Sequence, residues 1–138
     1  MIAYLDSSII LRVVMGQADA LPEWKQIDRG VVSALVPVEC LRTLDRMRLQ
    51  RLLDDEQVVL RREGVFRILE TADIVHVTEA VLARASYPLP TQVGTLDAIH
   101  LSTTLLWREV EGEDLVMTTH DRGLALASRA CGLTVLGT

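Results

Sequence analysis

The chain has 138 residues, 49% of them hydrophobic, with 14 Lys and Arg against 19 Asp and Glu and a formal net charge of −5. That length and apolar content support one domain that buries most of its apolar surface and are too small for two ordinary ones. Apolar runs such as Val31 to Val38, broken by Ser33 and Pro37, fall short of the ~20 residues a bilayer demands, no basic-then-apolar leader precedes Asp6, and Cys40 and Cys131 form no CxxC pair. The expectation is a single cytoplasmic domain over 1–138, with no membrane partner and with both cysteines as reduced core thiols.

In chain order, Ile2 to Leu5 reads as a short buried strand, and a hydroxyl cap at Ser7 starts a helix to Val14. Ala18 to Asp28 reads as a second helix stopped by Gly30, and Val31 to Ala34 as a second strand. Pro37 suits the first turn of a helix from about Val36 to Leu53. Asp54 to Glu70 follows as an amphipathic helix with acids in its first turn, where Gly64 is a potential break. Ile74 to Val77 is a third strand, and Thr78 caps a helix that must end before the "YPLP" of Tyr87 to Pro90. Thr95 to Arg108 is helical, Leu115 to Thr118 a fourth strand, Arg122 to Cys131 a helix closed by Gly132, and Thr134 to Leu136 a last strand. Strands alternating with helices imply an α/β fold, a mainly parallel sheet covered on both faces.

In such sheets the ligand site lies beyond the carboxyl ends of the strands. Asp6 ends the first strand, Asp121 follows the fourth, and Glu39 sits in the first turn of the helix after the second. Asp97, in the first turn of the helix that opens "TLDAIHL", is a fourth acid that can reach the same edge. Taken singly, Asp6, Asp97 and Asp121 each have an ordinary explanation as helix caps or partners of the helix dipole. Glu39 fits capping less well, because Pro37 already sets the helix start and Glu39 flanks an apolar stripe of Val38, Leu41, Leu44 and Leu52.

Two carboxylates about 4 Å apart repel by roughly 4 kcal/mol at an effective dielectric of 20, so four together call for protons or a cation. Oxygen ligands without paired His or Cys select Mg²⁺ or Mn²⁺ over zinc. The three histidines share no close helical spacing, and His100 reads as a core residue. A carboxylate-held Mg²⁺ can orient water and stabilise charge on a phosphodiester, which is nuclease chemistry. Ser8 and Thr119 offer hydroxyls to hold a water or orient a carboxylate, with helix capping as the alternative for each.

Net charge −5 argues against a nucleic-acid partner on average, but Arg42, Arg46, Arg48 and Arg51 stand against one acid, Asp45, and Arg61, Arg62 and Arg67 follow. The competing reading is a solvated helix face offset by Asp54, Asp55 and Glu56. Arg42 and Arg46 share a helix face with Glu39 and would carry a nucleic-acid backbone away from the acids. Five aromatic residues are too few for a base-stacking platform.

These motifs, "LDSS" with Asp6 and Ser8, "SALVPVE" ending in Glu39, "LDAIHL" with Asp97 and "TTHDRGLALASRACG" with Thr119 and Asp121, resemble those of PIN-domain ribonucleases, particularly the VapC-type toxins of toxin–antitoxin pairs. The resemblance runs from Ile2 to about Leu136. It implies a Rossmann-like three-layer α/β/α sandwich and Mg²⁺- or Mn²⁺-dependent endoribonuclease activity. It also implies a homodimer, and inhibition by a cognate antitoxin whose tail enters the active-site groove. Carried over by position, Asp6, Glu39, Asp97 and Asp121 form the acidic quartet, supported by Ser8 and Thr119; His120, between Thr119 and Asp121, has no assigned role. Trp24 and Trp107, too large for one small core, would add apolar surface to a dimer. A PIN-fold RNA-processing nuclease that is not a toxin, and an inactive binding module of the same shape, remain alternatives. Phosphoaspartyl proteins also place an acid after the first strand, but they need a lysine at the phosphate, and the chain's only lysine is Lys25.

Overall fold

The computed structural model describes residues 1–138. Five short strands, β1 (Ile2–Leu5), β2 (Arg29–Ser33), β3 (Asp73–Val75), β4 (Val116–Thr118) and β5 (Val135–Leu136), form one sheet in the order β3-β2-β1-β4-β5. Every pairing is parallel, with Ala3 of β1 opposite Gly30 on one side and Val116 on the other. Six helices connect them: α1 (Ser7–Val14), α2 (Leu35–Leu49), α3 (Asp55–Thr71), α4 (Glu79–Ala85), α5 (Thr95–Glu111) and α6 (Arg122–Ala130). The α/β alternation expected from the sequence is present throughout.

Side chains alternate across the central strands and divide the interior into two cores. Ala3, Leu5 and Val32 pack with Ile10, Val36, Cys40, Leu44 and Val65, on the face covered by α1, α2 and α3. Tyr4, Val31 and Met117 pack with Leu101, Leu105 and Leu124, on the face covered by α5 and α6. This gives three layers. The strand order reverses between β1 and β4, and the loops after these two strands part to opposite faces, leaving a crevice between them where ligands collect in such sheets.

Several local expectations change. Ala18 to Asp28 is not a helix but holds a 3-10 turn over Pro22–Gln26. Pro22 lacks a donor and forces the residue before it, Leu21, out of the helical region, at φ −52°, ψ 116°. The buried stripe of α2 is Val36, Cys40 and Leu44, while Val38 and Leu52 are exposed. Gly64 leaves α3 unbroken; a Cβ there would stand 3.2 Å from Val14 Cγ1, so glycine serves the close approach of α3 to α1. The Asp54 side chain and Gln57 form a reciprocal capping box at the start of α3. Trp107 is buried in the second core and Trp24 packs against the first, so the tryptophans leave no apolar surplus for a dimer. Cys40 is buried as expected, but Cys131 is partly exposed.

The C-terminal strand reaches the crevice. Thr119 N–H donates to the Leu136 carbonyl at 3.1 Å, and His120 Nδ1 lies 2.7 Å from the Gly137 carbonyl. Gly137 has φ +98°, and a Cβ on it would meet the Thr119 carbonyl at 2.5 Å. Gly137→Ala should therefore cost about 1–3 kcal/mol and lower the melting temperature by several degrees. Thermal unfolding followed by circular dichroism checks this; an unchanged transition would show that the terminal segment frays instead of straining.

Candidate active site

Asp6 leaves β1 and occupies the N-cap position of α1 in extended conformation, yet its side chain makes no capping bond, and the hydroxyl cap expected at Ser7 is absent. The carboxylate instead turns toward β4. Its Oδ2 accepts from Ser8 Oγ at 2.6 Å and from Thr119 Oγ1 at 2.8 Å, and the residue is only 5% exposed. Both hydroxyls are themselves held: His120 N–H donates to Ser8 Oγ at 3.0 Å, and Asp121 N–H donates to Thr119 Oγ1 at 3.0 Å. The residues after β1 and after β4 are thus laced together across the crevice, and Asp6 keeps Oδ1 free of these bonds. Capping is excluded for Ser8 and Thr119, and His120 acquires a part as the link between Ser8 and the C-terminal strand.

Asp121 does cap. Its Oδ1 accepts from Leu124 N–H at 2.8 Å at the start of α6, while the residue stays exposed. Asp97 does not cap: the N-cap of α5 is Gly94, and Asp97 sits half-buried within the first turn. Burial raises its pKa above the ordinary carboxylate range, and the charges of Asp121, Asp6 and Glu39 raise it further, against a lowering by His100. The other three predicted acids therefore lie near enough to Asp97 for their charges to act on it.

Glu39, in the second turn of α2, has a partner that local pattern reading did not supply. His100 Nε2 lies 2.7 Å from its Oε1, and His100 Nδ1 lies 2.6 Å from the Tyr4 hydroxyl. Tyr4 and His100 are both fully buried. His100 is buried as expected, but it is part of the site instead of mere packing. Burial lowers its pKa, yet the hydrogen bond to Glu39 and the charges of Glu39, Asp6 and Asp97 outweigh this and leave it raised. Two signals point to these residues: His100 follows Asp97 by three positions on one helix face, and Tyr4 precedes Asp6 by two in a strand. Burial pushes the Cys40 thiol up to about 12, with Glu39 and Asp6 adding to the rise, so it is no nucleophile.

No three Asp, Glu, His or Cys side chains are drawn into a ready-made metal cage. The donor set nonetheless fits a hard divalent cation: carboxylate oxygens only, three of the four acids uncommitted to capping, and one carboxyl, Asp97, raised above its usual range by burial and then by the charges of the others. The larger cavities, about 470 Å³ each, lie elsewhere, one beside the start of α5 at Thr95 and Ala98 and one under β3 at Ile74 and Trp107.

Along α2, Arg42 and Arg46 are exposed and enter no ion pair. The acids that could have neutralised them are engaged elsewhere, Glu39 with His100 and Asp45 with Arg48 at 2.9 Å. Arg61, by contrast, donates to the Val14 carbonyl at 2.8 Å, and Arg62 stacks over Phe66.

A PIN domain family model matches residues 3–129. The chain is 32% identical over 136 residues to Ribonuclease VapC46 of Mycobacterium tuberculosis (strain ATCC 25618 / H37Rv), covering 96% of this chain and 95% of that protein. The fold is similar to that of a chain in a toxin–antitoxin complex from Klebsiella pneumoniae, with a TM-score of 0.63, 17% identity, and coverage of 89% of this chain and 90% of that one.

Replacing Asp97 by Asn tests the electrostatics directly. A carboxyl with a raised folded-state pKa costs stability above that pKa, and the cost vanishes below the unfolded value, where both states are protonated. Without added metal, Asp97→Asn should gain on the order of 0.5–2 kcal/mol near neutral pH and nothing in acid. Melting curves across pH check this, and saturating Mn²⁺ should reverse the order by stabilising only the unsubstituted chain.

Proposed function

The chain belongs to the PIN-domain family, and on that premise we propose that it is a Mg²⁺- or Mn²⁺-dependent endoribonuclease, the toxin of a type II toxin–antitoxin pair. The observation that carries this reading is that Asp6 and Asp97 stand at helix starts without capping them, so their oxygens remain for a ligand. Asp6, Glu39, Asp97 and Asp121 would hold the cation. When bound, the cation supplies a polarised water and neutralises charge building on the scissile phosphate.

The chain's own residues do the rest. Ser8 and Thr119 fix the Asp6 carboxylate through Oδ2 and leave Oδ1 for the cation. Thr119 also orders the Asp121 backbone, and the cap on Leu124 N–H fixes the Asp121 side chain. Arg42 and Arg46, continuing outward on α2 from Glu39, take the RNA backbone, since the acids repel phosphate until a cation is bound. The reading carries two protein partners, a cognate antitoxin whose tail enters the groove and a second copy of the chain. Support for the antitoxin comes from the VapC46 relative and from the toxin–antitoxin complex of similar fold. No helix is long and apolar enough to cross a membrane.

Incubation of the purified protein with RNA and Mg²⁺, Mn²⁺ or EDTA tests the reading. Cleavage should require metal, and Asp6→Asn should reduce it by at least 10²-fold while melting stays cooperative. Metal-independent cleavage, or an unaffected Asp6→Asn variant, would overturn the assignment; a folded protein that binds RNA without cutting it would favour a binding module.

The Arg42→Ala, Arg46→Ala double variant should bind single-stranded RNA more weakly and lower the slope of log affinity against log salt by about 1.4, at ~0.7 for each phosphate no longer neutralised. Mn²⁺ binding should stay the same. An unchanged slope, measured on a cleavage-dead Asp6→Asn background, would place the RNA track elsewhere.

A further inference from the structure

Tyr4 and His100 are polar, fully buried, and tied to one acid of the groove. Tyr4 also packs in the second core, so its ring fills space there while its hydroxyl makes the polar contacts. With Glu39 ionised, so that it can only accept, and His100 neutral, the hydrogen bonds have one consistent direction. Ser33 N–H can only donate, and it donates to the Tyr4 hydroxyl oxygen at 3.3 Å. The phenol proton then goes to His100 Nδ1, 2.6 Å away. Nε2 therefore carries hydrogen and donates to Glu39 Oε1 at 2.7 Å. An imidazolium would also donate from Nε2, so this last bond persists in either charge state. The hydrogen-bonded chain starts at a backbone amide fixed at the end of β2, where Ser33 Oγ also receives Leu35 N–H at 3.1 Å. It ends on an otherwise flexible side chain at the groove.

We propose that His100, held in one tautomer by Tyr4, is a positioning residue for Glu39: it pins Oε1 and leaves Oε2 as a single preset ligand for the divalent cation. This rests on the metal-site reading above. Outer groups that orient a ligating carboxylate commonly contribute about 10–100-fold to metal affinity. Glu39 needs such a device more than Asp6 or Asp121 does. Asp6 is fixed by two hydroxyls and Asp121 by its cap, whereas Glu39 has a longer side chain and only His100 to hold it.

The test is Mn²⁺ titration by calorimetry on metal-free full-length protein, with circular dichroism and melting as controls for folding. His100→Leu should weaken Mn²⁺ binding about 10–100-fold. His100→Gln, which keeps an N–H donor of similar reach, should restore most of that loss. Tyr4→Phe, which keeps the imidazole but frees its tautomer, should fall between. In a Glu39→Gln background, His100→Leu should cause no further loss, because the effect passes through that carboxylate. Folded variants that bind Mn²⁺ as the unsubstituted chain does, or losses that add fully to Glu39→Gln, would overturn the proposal while leaving the metal site standing. Absence of Mn²⁺ binding by the unsubstituted protein would overturn both. If His100→Leu fails to fold, the Gln and Phe variants decide the outcome.

Discussion

Asp97 feels the charges of Asp121, Asp6 and Glu39, which raise its pKa beyond the effect of burial, and the surrounding structure keeps these acids on separate rigid elements. Repulsion of this kind pushes acids apart or drives them to take up protons. The fold resists separation by anchoring each acid to a different rigid element: Asp6 to the end of β1, Glu39 to α2, Asp97 to α5 and Asp121 to the start of α6. The elements are locked by two cores on opposite faces of the sheet, so relaxation at the edge would require moving packed layers. Asp97, whose carboxyl no cap or hydroxyl relieves, has its pKa raised by burial first and by the charges of the other acids second.

The anchoring is asymmetric in a chemically useful way. One oxygen of Asp6, of Glu39 and of Asp121 is committed to a protein donor, and the other is left over. A carboxylate with one oxygen tied loses little further freedom when the other meets a cation, which favours binding of a cation over its own flexibility. The same hydroxyls and imidazole that orient these acids also connect them. Ser8 and Thr119 join β1 to the residues after β4, and His100 joins α5 to α2. The crevice at the sheet's switch point is therefore bridged by polar bonds where its walls diverge.

Charge outside the groove complements charge within it. A chain of net charge −5 has little long-range attraction for RNA. Two unpaired arginines on the helix that carries Glu39 provide a local one, and they are unpaired because Asp45 and Glu39 have taken other partners. A basic lane that looked equally like a neutralised surface in the sequence is, at these two positions, open.

Local chemistry was enough to read the alternation of strands and helices, the place of Asp6, Asp121 and Glu39 after their strands, and the family itself, because strand runs, caps and motif spacing are properties of short stretches. It misled where a short-range rule was overridden by another: Pro22 broke a helix that composition favoured, and α2 rotated so that Cys40, not Leu41 or Val38, faced the core. Only the tertiary structure decided which acids are caps and which are free, since Asp6, Asp97 and Asp121 look alike in sequence and differ in what lies opposite them. It also decided the partners of His100, which lie 96 and 61 residues away in the chain. Hydrogen bonds over such separations depend on how β1, α2 and α5 pack in space, and no local periodicity encodes that.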